Sequence, residues 1–254
     1  HQQQQHHHHQ HQRSAAVASA DTDHRSAPAL ITAAEADDAN EVERLLSKRV
    51  LLDAVDASGR TALLAASAAG HTAVAKILLE ARADVECGRD DGQTPLLCAA
   101  AAGHADVLEL LCDEGGARID LAAGPWGTPL LAAVERGHSA CVRLLLLHGA
   151  QADPDRAVRS SQLTAAPLAV AAQHGRLNVV RLLLSAAADI DAPTPQGASP
   201  LLLAAHAGHA ATVRLLLEAG SETIDKPVLS GGTPLLGAIQ HGHIDVVEAL
   251  LRSR

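Results

Sequence analysis

The chain has 254 residues and a formal net charge of −9, and Trp126 is its only residue from the Phe, Tyr and Trp set. The acidic balance argues against non-specific binding to nucleic acid or anionic lipid, and no apolar run approaches the ~20 residues of a membrane span. A globular core of this size normally draws bulk from aromatic rings, so a chain of Leu, Val and Ala points to thin, closely stacked helices.

Residues 1–28 open with a low-complexity run of His and Gln, followed by Ser, Ala and Asp. Such a stretch cannot bury a core and is expected to be disordered. Its histidines could bind Ni²⁺ or Zn²⁺ weakly, but a repetitive tract without a metal role is the simpler expectation. Residues 29–55 form a first unit. The stretch Ala33 to Leu46 reads as two short helices with no Thr-Pro-Leu turn, and its charges suit a capping unit with one solvated face.

Six repeats follow, over 56–87, 88–122, 123–154, 155–191, 192–225 and 226–254. Their register is carried by Leu63, Leu96, Leu130, Leu168, Leu201 and Leu235, at gaps of 33, 34, 38, 33 and 34 residues. A Gly follows each at the same offset, from Gly70 to Gly242. A period near 33 means stacked helical hairpins, each too small to fold alone. Thr or Ser before the Pro caps the first helix by accepting an orphan backbone N–H, and Pro tolerates the first helical position. Gly ends that helix and turns the chain back. The Leu run of the second helix fills the seam between units. Gly59, Gly92, Gly197 and Gly231 sit where a tight hairpin leads into the next unit.

The repeat from Thr94 reads Thr94-Pro-Leu-Leu-Cys-Ala-Ala-Ala-Ala-Gly-His104, and that from Thr128 reads Thr128-Pro-Leu-Leu-Ala-Ala-Val-Glu-Arg-Gly-His138. The second halves read Val179-Val-Arg-Leu-Leu-Leu184 and Val246-Val-Glu-Ala-Leu-Leu251. Over residues 29–254 the pattern resembles the ankyrin repeat. The resemblance implies an all-α solenoid of helix-turn-helix units joined by hairpin loops. It also implies that partners dock on a concave face lined by hairpin tips and first helices.

Two departures from the family pattern stand out. The His that usually follows Thr-Pro-Leu is replaced by Leu64, Leu97, Leu131, Ala169, Leu202 and Leu236, which turns a polar tie into an apolar contact. The frequent Asn near each repeat's end is acidic, as Glu86, Asp120, Asp153, Asp191 and Asp225. These positions therefore cannot serve as asparagine hydroxylation targets. The repeat at 155–191 carries four extra residues before Pro167 and no hairpin Gly, so a longer, mobile loop is expected there.

The first-helix positions two after the Leu and just before the Gly share one face. They run Ala65 and Ala69, Cys98 and Ala102, Ala132 and Arg136, Val170 and His174, Leu203 and Ala207, Gly237 and His241. The first two pairs are small and bland, which directs attention to Arg136, Val170, His174, Leu203 and His241 as partner contacts, with tolerated solvent positions as the plain alternative. Trp126 takes the place of a hairpin Gly. A lone aromatic there is a binding hot-spot candidate, because Trp is enriched among dominant interface residues, or else it folds back on the next loop.

His71, His104, His138, His209 and His243 start second helices and read as structural, each able to bond a carbonyl of a neighbouring loop. A zinc site from His206, His209, His241 and His243 is not expected, since zinc needs three or four ligands converging at about 2.1 Å and repeats stack about 10 Å apart. Cys87, Cys98, Cys112 and Cys141 lack metal spacing, and the last three read as helix filler in a reducing compartment, cytosol or nucleus. No catalytic motif and no cofactor site is legible. The expected role is a monomeric, non-catalytic scaffold or adaptor that binds another protein. The alternative is a targeting segment of a larger enzyme such as a kinase or ubiquitin-ligase subunit, which the absence of Met, read as the mark of a fragment or processed product, leaves open.

Overall fold

The computed structural model describes residues 28–89, 91–122, 127–153, 166–227 and 231–253. Most of the His/Gln tail, Trp126 and the long loop before Pro167 lie outside them. Fourteen helices pair into seven hairpins, with no β-strand among the described residues. Helices α1 (28–35) and α2 (Ala39–Ser47) form the leading unit. Then come α3 (Ala62–Ala69) with α4 (Thr72–Glu80), α5 (Pro95–Ala102) with α6 (Ala105–Asp113), and α7 (Pro129–Arg136) with α8 (Ser139–Leu147). The last three pairs are α9 (Pro167–Gln173) with α10 (Leu177–Ser185), α11 (Pro200–His206) with α12 (Ala210–Glu218), and α13 (Pro234–Gln240) with α14 (Ile244–Arg252). The leading unit is already helical at Pro28, one residue before the expected start of the array; a proline is tolerated in a first helical turn because its missing N–H would lack a partner anyway.

Each first helix from α3 to α11 packs on the next first helix, and each second helix from α4 to α12 on the next second helix. Helices of seven to nine residues are too short to persist alone, so stacking supplies the stability. One Leu per helix does most of this. Leu63, Leu96, Leu130, Leu168 and Leu201 from the first helices, and Leu78, Leu111, Leu145, Leu183 and Leu216 from the second, are fully buried. Burial of each contributes about 1.5–3 kcal/mol.

The caps form as the sequence implies. The hydroxyls of Thr61, Thr94, Thr128, Ser199 and Thr233 accept the backbone N–H three residues on, at 3.2–3.3 Å. Ala166 leaves α9 without a side-chain cap. The hairpin turns also form: the Asp56 N–H donates to the Arg60 carbonyl at 3.0 Å and the Gly59 N–H to the Asp56 carbonyl at 2.9 Å. Asp56 locks this turn. Its carboxylate accepts from the Ser58 hydroxyl at 2.6 Å and from the Arg60 Nε at 2.9 Å, and the Ser58 hydroxyl above all holds its pKa far below the usual carboxylate range. Arg60 also pairs with Glu35, joining the leading unit to the first repeat.

Two rows of polar ties cross the seams. Along one edge, Nε2–H of His71, His104, His138, His209 and His243 donates to the carbonyls of Glu35, Ala68, Ala101, Gln173 and His206 at 3.0–3.1 Å. These carbonyls lie in the last turn of the preceding first helix rather than in a loop, where a helix leaves acceptors without partners. Along the other edge, acidic side chains accept a backbone N–H of the next unit. Asp53 takes Asp84 at 2.9 Å, Glu86 takes Arg118 at 2.6 Å, Asp120 takes Gln151 at 3.2 Å, Asp153 takes Asp189 at 2.7 Å and Asp191 takes Glu222 at 2.9 Å. The array thus keeps an inter-repeat polar network even though Leu and Ala stand where the family has its histidine.

Gly103 illustrates why the turn position is bare. Its φ is +84°, and a methyl group built on it would lie 2.6 Å from His138 Nδ1. The residue is required twice: for the left-handed turn, and for the imidazole of the next unit lying against it.

Candidate functional site

The first helices lie side by side, and a groove opens between α5 and α7. The groove has a volume of about 440 Å³. Ala68, Ala101 and Ala102 leave the space open by being small, Leu97 and Ala132 form the floor, and Glu135 and Arg136 stand at the rim. The face positions Cys98, Ala102, Ala132 and Arg136 therefore converge on one site. Sequence reasoning passed over Cys98 and Ala102 as featureless. Their smallness was the signal, since a groove forms where side chains stop short.

Cys98 lines the groove with its S–H directed to Gln93 Oε1 at 3.7 Å. Burial pushes this thiol up to about 11, so at neutral pH it is a protonated, weak donor and a poor nucleophile. Cys112 is likewise pushed up to about 11 by burial, and Cys141 is a fully buried filler. All four cysteines are free thiols.

The other expected contacts are dispersed. Arg136, His174 and His241 are exposed along the first-helix face. Nδ1–H of His174 donates to the Val170 carbonyl and that of His241 to the Gly237 carbonyl, both at 3.0 Å, which folds each ring back over its own helix. Val170 is a correction. It is 7% exposed and belongs to the core, because α9 turns this branched side chain between its neighbours. Leu203 is half-buried against Ala166, Ala169 and Ala192. Trp126 lies outside the described residues.

His206 and His241 meet across a seam with ring centroids 4.1 Å apart, and His241 and His243 lie 6.0 Å apart. The expected stack spacing therefore does not hold these rings apart, because both lean toward the same seam. His209 and His243 commit Nε2 to backbone carbonyls. Among the described residues no group of three or more His, Cys, Asp or Glu is placed to hold a metal ion, and no helix is long and apolar enough to cross a membrane.

A seven-hairpin stack with capped first helices, bare turn glycines and histidine cross-ties defines an ankyrin-type array. A family model for ankyrin repeats in three copies matches residues 10–89, 30–123, 82–157, 123–194 and 168–254, and the chain belongs to this family. It is similar to the human ASB11 ankyrin repeat domain, at 28% identity and a TM-score of 0.76, over 89% of this chain and 97% of that one. It is also similar to the ankyrin repeat domain of Bcl-3, a member of the IkappaB protein family, at 26% identity and a TM-score of 0.73, over 88% of this chain and 97% of that one. No curated protein sequence matches it.

Proposed function

We propose that this chain is a non-catalytic protein-binding module, a scaffold or adaptor whose first-helix face and hairpin tips grip a partner. Ankyrin repeats are protein-interaction modules, and the similar solved domains carry that role to this chain by likeness. The single observation behind the location is the groove between α5 and α7. It offers an apolar floor of Leu97 and Ala132 with a Glu135–Arg136 rim, which suits one apolar anchor side chain flanked by polar groups. The proposed contacts are Arg136 at this rim, then His174, Leu203 and His241 along the same face, with Trp126 as a further anchor. Val170 is left out because its side chain is covered.

The test is affinity capture from the source cell's lysate with three baits: the parent chain, an Ala102→Arg variant that fills the groove, and a variant with Trp126, Arg136, His174 and His241 all changed to Ala. A protein held by the parent and lost by Ala102→Arg supports the groove. Loss in the second variant alone moves the contact to the remaining face. A partner held equally by all three overturns the location.

A further inference from the structure

The last hairpin carries a finished seam on its outer side. Its α13 position equivalent to Ser67, Ala100, Val134, Ala172 and Ala205 is Ile239. Those five residues are 0% exposed, and Ile239 is 57% exposed. Leu236 is 42% exposed, whereas its equivalents Leu64, Leu97, Leu131 and Ala169 are buried and Leu202 is half-buried. Leu251 and Ile244 are exposed where all their equivalents, such as Leu217 and Ala210, are half-buried. A solvent-facing cap would carry polar groups at these positions, yet this hairpin keeps large aliphatic ones.

The polar half of the seam is also present. In the five preceding repeats the turn Gly is overlain by the His or Arg that starts the next second helix, so closely that a methyl there would meet it at 2.5–2.8 Å. Over Gly242 nothing lies within 4 Å. The backbone carbonyl of Gln240 occupies the place of the Ala68, Ala101, Gln173 and His206 carbonyls, each of which accepts an imidazole N–H.

We propose that the outer face of α13 and α14 is an open repeat seam, the docking surface for one more helix hairpin of the same repeat joined in sequence to α14. The occupant has small residues on its first helix to fit over Ile239 and Leu236. It has a His or Arg at the start of its second helix to lie on Gly242, the His form bonding the Gln240 carbonyl. A second copy of this chain does not fit. Its leading unit offers Asp38 at the start of α2, where the seam takes His, and a carboxylate facing a carbonyl provides no donor. A free hairpin does not fit either, since an isolated unit of this length does not hold its helices in water, whereas a tethered one docks as it folds.

The test appends a copy of residues 83–114 after Arg254, in the register that follows the equivalent Arg82. Thermal melting and amide exchange are compared with the parent. The expected result is a rise in Tm of about 4 °C or more, with slow exchange across α13 and the appended helices. Placing Ile239→Asn and Leu236→Asn in the parent is expected to leave its Tm nearly unchanged, because both are exposed, and to abolish the rise in the fused protein. The proposal is overturned by an appended segment that exchanges like an unfolded peptide. A Tm rise that survives both substitutions also overturns it, as does parent chain whose sedimenting mass doubles with concentration until the same substitutions return it to monomer.

Discussion

Ser67 carries a hydroxyl into a seam that is apolar at the equivalent Ala100, Val134, Ala172 and Ala205. Its Oγ is buried without a hydrogen-bond partner among the described residues. An unmatched buried hydroxyl costs on the order of 1 kcal/mol or more. Ser67→Ala is therefore expected to raise Tm by about 2–4 °C, and a drop in the melting curve would mean that the hydroxyl bonds its own helix. The turn glycines give a paired test. Gly242→Ala meets no neighbour and should lose only the cost of a left-handed residue with a Cβ, about 1–2 kcal/mol. Gly103→Ala also collides with His138 and should lose more. Urea unfolding of the two variants decides; equal losses would leave the imidazole with no part in the requirement for Gly.

Elements in this array are stabilised by their neighbours. The second helices start at His71, His104, His138, His209 and His243, and none of these side chains caps its own helix. Each reaches back to the last turn of the preceding first helix, supplying a donor to an acceptor-rich end. The repeat at 155–191 breaks the row. Arg176 lies over Gly137 but makes no hydrogen bond to the end of α7 among the described residues. Arg176→His restores the tie, with the Glu135 carbonyl as acceptor, and is expected to stabilise by about 1 kcal/mol. A lower urea midpoint for this variant would count against the tie. Loss of the cap in Thr94→Ala is expected to cost about 1 kcal/mol, read in the same assay.

At the scale of the molecule, two part-buried thiols contribute to the alkaline side of the stability profile. Burial holds the Cys98 and Cys112 thiols up to about 11, above their ordinary value of 9.0. The folded state then keeps protons that the unfolded chain releases, so this contribution is complete below about pH 9 and is lost as pH rises through 11. Tm is expected to hold near neutrality and decline between pH 9 and 11. Changing Cys98 and Cys112 to Ala should flatten that decline. An identical decline in the double variant would assign it to other groups.

Period, caps, seam leucines and histidine ties were legible in the chain itself, because each depends on residues at fixed offsets within one repeat or one repeat apart. Thr94 caps through its neighbour three residues on, and His104 finds its carbonyl by register alone. The site was legible only in part. Arg136 could be placed on a face by helical spacing, but the groove beside it arises from small side chains of three helices meeting in space. Val170 follows the same spacing and is buried, since exposure depends on what covers a residue. The acidic row illustrates both limits. The sequence revealed carboxylates in place of Asn, and only the stacking of one unit on the next made Glu86 and Asp120 acceptors for the following backbone. Local order sets which helices form and how they pair; burial, grooves and open seams follow from what lies through space, which only the tertiary structure decides.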